Sequence, residues 1–81
     1  MADFTIKAPY RITTELARTY DYVNYSQLPD GALFLRQGKV YEKLSDMDCA
    51  QLEPWDHDGY QYMPDYFTCE RLKVIREYKT Q

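Results

Sequence analysis

The chain has little of what an active centre or a metal site is usually assembled from. It has a single histidine, which excludes a zinc site built on several imidazoles. Its only cysteines, Cys49 and Cys69, are not arranged as Cys-x-x-Cys, and a set of Cys49, His57 and Cys69 would still need a fourth ligand. Glycine is scarce, at 3 residues, and Gly38-Lys39-Val40 lacks the Ser or Thr that must follow the lysine of a phosphate loop. No apolar run reaches the roughly 18 residues of a membrane span. Aliphatic residues are thin, and the mean hydropathy is −0.70. Positive charge is also lacking: the net charge is −3, the reverse of a nonspecific nucleic-acid binder.

What the chain does have is tyrosine, 9 in 81 residues. A length near the lower limit for self-sufficient burial predicts one small domain over residues 1–81. With so few aliphatics, tyrosine rings are expected to fill much of the core, each hydroxyl reaching a partner or water. The start, Met-Ala-Asp-Phe-Thr, has neither the basic residues nor the apolar run of a secretory signal. This predicts a soluble, cytoplasmic protein with free thiols.

Turn chemistry marks out a β-rich chain. In Leu28-Pro29-Asp30-Gly31, proline presets one backbone angle and glycine accepts a positive one. The strand-like runs 32–36 and 39–44 flank Gln37-Gly38, the length and type of a tight hairpin loop. Alternation places Val40, Glu42 and Leu44 on one face, and Tyr41 with Lys43 on the other. Ser45-Asp46-Met47-Asp48 supplies another turn, after which residues 49–53 can return as a third strand. Further extended pieces are expected at residues 4–7, 20–25, 60–62 and 72–76. Ile12, Leu16, Ala17 and Tyr20 fall at helical spacing, so a short helix or irregular turn is expected over residues 14–18. The predicted fold is mainly β: a four- or five-stranded antiparallel curved sheet or small open barrel, with at most one short helix. An α-rich fold through residues 14–20 and 68–78 is the main competitor.

The stretch from Tyr25 through Leu28-Pro29-Asp30-Gly31 to Phe34, followed by Gly38-Lys39-Val40-Tyr41-Glu42-Lys43-Leu44 and Ala50-Gln51-Leu52, resembles a pattern in short accessory proteins of tailed bacteriophages. The likeness covers roughly residues 20–77 and is closed by a C-terminal strand such as residues 72–76. It implies a compact twisted sheet and raises the expectation of a phage accessory role, many such proteins being inhibitors of host enzymes or defence systems. It assigns no residue a function.

Charge is unevenly spread. Residues 1–40 sum to +1, whereas residues 42–70 hold eight acids against the single base Lys43. Within that acidic stretch, Asp56-His57-Asp58-Gly59 resembles the middle of a calcium loop. The register fails, because Pro54 would occupy the first ligand position and Asp65, not Glu, the last. No metal and no cofactor is therefore expected. Without a nucleophile on a recognisable elbow or a chain long enough for a roomy pocket, no enzymatic activity is expected either.

Residues 53–67 remain as the candidate site. Trp55, Tyr60, Tyr62, Met63, Tyr66 and Phe67 lie among Glu53, Asp56, Asp58 and Asp65, in a segment interrupted by Pro54 and Pro64. The acids disfavour stacking on nucleic acid, since they repel phosphate. Rings among carboxylates suit a basic protein groove, where aromatics supply contact area and acids steer the approach. The expected partner-binding residues are Glu53, Trp55, Asp56, Asp58, Tyr60, Tyr62, Asp65 and Tyr66. The expected partner is a host protein with a basic nucleic-acid-binding groove, such as a defence complex (CRISPR or restriction), with no direct nucleic-acid or membrane contact. Packing of these rings as a cap on a thin core is the competing account. A nucleotide- or small-molecule-sequestering protein and a virion structural or assembly component are the alternative functions.

Overall fold

The computed structural model describes residues 2–8, 12–64 and 66–79. The strands are β1 (Phe4–Ile6), β2 (Thr13–Asn24), β3 (Leu33–Arg36), β4 (Lys39–Lys43), β5 (Asp48–Glu53), β6 (Tyr60–Tyr62) and β7 (Thr68–Tyr78), with a 3-10 turn at Tyr25–Gln27 between β2 and β3. They form one seven-stranded sheet in the order β1-β2-β7-β3-β4-β5-β6. Every pairing is antiparallel.

The mainly β expectation holds, with two corrections. The sheet has seven strands, not four or five, because the short pieces β1 and β6 both join it, one at each end. Residues 14–18 are neither helix nor irregular turn: they lie inside β2, where Glu15, Leu16, Ala17 and Arg18 pair with Arg76, Val74, Lys73 and Leu72. The apparent helical set does not share a buried face: Leu16 is buried, whereas Ile12 and Tyr20 are exposed. Between Arg18 and Tyr22 the register shifts, and Tyr20 sits at φ 57°. Two β-rich segments long enough to satisfy each other's backbone override the local pattern.

The central hairpin follows from its turn. Arg36 pairs with Lys39, and Gln37 and Gly38 lie at φ 54° and 78°. Both central residues in the left-handed region give the turn whose twist matches that of the flanking strands. Gly31 at φ 89° turns the chain into β3, with the Ala32 amide donating to the Pro29 carbonyl over 3.1 Å.

Both faces of the sheet bury apolar groups. On one face Tyr25, Leu28, Phe34, Tyr41, Cys49, Met63 and Cys69 cluster beneath the 3-10 turn. Phe34 meets Tyr25 edge-on and stacks on Tyr41, with ring centroids 5.6 and 5.4 Å apart. On the other face lie Ile6, Ala8, Leu16, Leu33, Val40 and Leu52, where β1 packs across to β5. Burying opposite faces of β3 and β4 requires this curling, and the consecutive apolar residues Leu33, Phe34 and Leu35 supply both sides.

Tyrosine fills less of the core than its abundance suggests. Tyr25 and Tyr41 are buried, whereas Tyr20, Tyr22, Tyr60, Tyr62 and Tyr66 are exposed. The Tyr25 hydroxyl donates between the Ser45 and Asp48 carbonyls, each 2.7 Å away. Burial first, then the neighbouring Cys49 and Asp48, push its pKa above the ordinary phenol value. Lys43 is buried too: its Nζ donates to the carbonyls of Tyr25 (3.1 Å) and Leu28 (2.6 Å) and lies 4.6 Å from the Tyr25 ring centroid. Cys49 and Cys69 are free thiols inside this cluster. Burial pushes Cys49 up to about 11 and raises Cys69 as well.

Candidate protein-binding edge

Residues 54–64, with Tyr66 and Phe67, lie at the open rim of the sheet beyond β5. The segment turns sharply at Asp56, whose carboxylate accepts from the Asp58 amide at 3.0 Å and whose carbonyl accepts from the Gly59 amide at 3.0 Å. Gln51 holds the turn from beneath: its side-chain amide donates to the Pro54 carbonyl at 2.7 Å, and its backbone amide donates to the Gly59 carbonyl at 2.9 Å. Only glycine fits at position 59, where a Cβ would lie 2.8 Å from the Gln51 Cβ and 3.0 Å from the Asp56 carbonyl oxygen.

β6 follows, with Tyr60, Gln61 and Tyr62 opposite Ala50, Cys49 and Asp48. All three are exposed. The chain then plunges: the Met63 amide donates to the Met47 carbonyl at 2.6 Å, and the Met63 side chain enters the core. Phe67 packs partly against the same cluster, with the Arg36 guanidinium 3.9 Å from its ring centroid.

The structure therefore divides the candidate residues. Met63 and Phe67 do what the core-capping account expects of them. Tyr60, Tyr62 and Tyr66 do not, being 67%, 64% and 73% exposed, and Trp55 is 38% exposed. Trp55, Asp56 and Asp58 stand in the turn before β6, Tyr60 and Tyr62 on the strand, and Tyr66 after it. Glu53, at the end of β5, is half-buried and pairs with Val40. Asp65 lies outside the described residues.

Sequence reasoning missed two neighbours. Asp46 and Met47, in the turn between β4 and β5, join Ser26, Tyr62, Pro64 and Tyr66 around a groove of about 430 Å³. Asp48 lies across from Tyr62. The acidic run held the signal, but only the pairing of β5 with β6 shows that residues 46–48 share a rim with Tyr62.

The formal charges that residues 44–64 bring to this rim are all acidic, while Arg36 of β3 places a cation over the Phe67 ring at its far end. Lys43 is the only lysine or arginine within residues 42–70, and its ammonium is committed to two carbonyls inside the protein. Asp46, Asp48, Asp56 and Asp58 remain exposed. Among the described residues, no group of three or more His, Cys, Asp or Glu side chains could hold a metal ion.

A second polar centre is structural. Glu70, 2% exposed, accepts from Arg18 Nη2 at 2.6 Å, from Arg18 Nε at 3.1 and 3.2 Å, and from the Tyr20 amide at 3.0 Å. These bonds pin the irregular stretch of β2 to β7. The Arg18 hydrogen bonds outweigh desolvation and hold the Glu70 carboxyl below the ordinary carboxylate value.

No family model, no curated protein and no solved structure matches this chain. Among the described residues no helix is long and apolar enough to cross a membrane.

Proposed function

We propose that this chain is a binding protein that docks its acidic, tyrosine-bearing rim on a basic surface of a partner protein and acts by occupying it, without turnover. The observation that carries the reading is the coincidence of Tyr60, Tyr62 and Tyr66, each about two-thirds exposed, with exposed acids and a sole local lysine turned inward. Exposed rings supply area to desolvate on docking, and unneutralised carboxylates steer a cationic partner and contact its Arg and Lys.

The sequence likeness to phage accessory proteins adds the biological setting. The partner is a host nucleic-acid-handling or defence complex in the cytoplasm, and the outcome is inhibition. The rim groove has the volume of a small-molecule site. Asp46 on its wall opposes a phosphate, which favours the protein-binding reading over nucleotide sequestration.

Affinity capture from host cells followed by mass spectrometry identifies the partner, and the purified pair then tests the surface. Charge reversal at Asp46 and Asp58, whose carboxylates are exposed, should slow association and flatten its salt dependence while leaving the melting temperature nearly unchanged. Tyr62→Ala and Tyr66→Ala should instead speed dissociation, each by about 1–3 kcal/mol if it is a central anchor. Wild-type binding by the charge-reversed variant would move the interface away from this rim.

A further inference from the structure

The hydrogen-bond phase of β6 defines how the rim can be engaged. In an antiparallel ladder, residue pairs alternate between those that exchange backbone hydrogen bonds and those whose N–H and C=O point away from each other. The Gln51 amide donates to Gly59 and the Met63 amide to Met47. Those bonds set pairs 51/59 and 47/63 as bonded, so the pair between them, Cys49 with Gln61, is bonded as well. Tyr60 and Tyr62 are then the residues whose backbone N–H and C=O point outward. β6 is the last strand of the sheet, so no further strand lies on that side among the described residues. The two exposed tyrosines thus present side chains and an open backbone edge together.

Such an edge is a template for one more strand, in which main-chain hydrogen bonds supply affinity and flanking side chains supply selectivity. The flanks define the chemistry. Asp48 lies across from Tyr62, Asp46 borders the groove beside it, and Asp56 and Asp58 stand in the turn before Tyr60. A second copy of this rim would bring like charges together across the new pair, which is unfavourable. An extended segment carrying Arg or Lys meets opposite charge along its length.

We infer that the partner engages this rim by strand addition, laying an extended Arg- or Lys-bearing segment along the outer edge of β6 and bonding to the backbone of Tyr60 and Tyr62. This rests on the reading of the rim as a docking surface for a basic partner and specifies its geometry: an extended segment, not a folded groove.

The probe is a short peptide alternating Arg with Val, with a control of the same sequence N-methylated at alternate residues so that one edge can no longer donate. In the free protein, the Gln61 amide should exchange slowly and those of Tyr60 and Tyr62 fast. Saturation with the unmodified peptide should slow exchange at Tyr60 and Tyr62 by about tenfold or more, and N-methylation should weaken binding by a similar factor, given the net worth of two or three hydrogen bonds.

Peptide binding that leaves those amides unprotected, or equal affinity of the N-methylated control, overturns strand addition. So does failure of the peptide to bind while the captured partner still binds with steep salt dependence, which leaves the charge-based reading standing. Peptide binding unaffected by charge reversal at Asp46 and Asp58 would overturn the charge-based reading itself. Protection of Tyr60 and Tyr62 in concentrated protein alone, together with dimers in sedimentation, would make the occupant a second copy and overturn the basic segment.

Discussion

Single residues do decisive work where a neighbour leaves no choice. Gly59 is such a case, since the backbone of the Asp56 turn and the stem of Gln51 occupy the space a side chain would need. Gly59→Ala forces one of them to move and should destabilise the protein by about 1–3 kcal/mol in chemical denaturation; an unchanged midpoint would show that the turn before β6 shifts freely. Glu70 sets a pH limit. Its folded-state pKa is depressed, chiefly by Arg18, below the ordinary 4.5, so the folded state binds fewer protons than the unfolded chain. The resulting stability is fully present above pH 4.5 and is lost as pH falls through the lower folded-state value. Melting temperatures of the wild type and Glu70→Gln should therefore diverge near neutrality and converge in acid. A gap of constant size across that range would mean that Glu70 acts through shape alone.

At the scale of elements, what was legible depended on whether the deciding contacts were local. The hairpin of β3 and β4 reads from Gln37-Gly38 because the turn conformation is a property of those two residues. It also reads as imperfect. Gln37 holds φ 54°, a region where Asn is far better tolerated, so Gln37→Asn should stabilise by on the order of 0.5 kcal/mol, seen as a higher denaturation midpoint. A lower midpoint would show that Gln37 makes a compensating contact. The second half of β2 was legible as the extended piece at 20–25, but its first half and its continuity were not, because the irregularity at Tyr20 is held by Glu70, 50 residues away, and no local pattern announces it. The candidate site splits the same way. The acidic, aromatic character of residues 53–67 is compositional and visible at once. Which side chains are spent on the core was hidden, since Met63 is drawn inward by its backbone bond to Met47 and Phe67 lies under Arg36, both far off in sequence.

Across the whole molecule, the two apolar clusters share their scaffold. Leu33, Leu35 and Val40 point to the face covered by β1, while Phe34 and Tyr41, their neighbours in sequence, point to the face covered by the 3-10 turn. Neither cluster can be dismantled without releasing the strands that build the other. Each is also small, and for a chain of 81 residues apolar burial leaves little margin. The sheet should consequently unfold as one cooperative unit despite its two-sided core. Ile6→Ala, in one cluster, and Phe34→Ala, in the other, should each lower the midpoint by an amount corresponding to about 2–5 kcal/mol while leaving a single transition. The fluorescence of Trp55, at the acidic rim, should report the same midpoint as circular dichroism of the strands, because the turn that carries it hangs from Gln51 of β5. A rim transition preceding the loss of strand signal would separate the two. The docking surface would then be a locally unfolding element that orders on binding, and association would carry an entropic penalty that a preformed edge avoids.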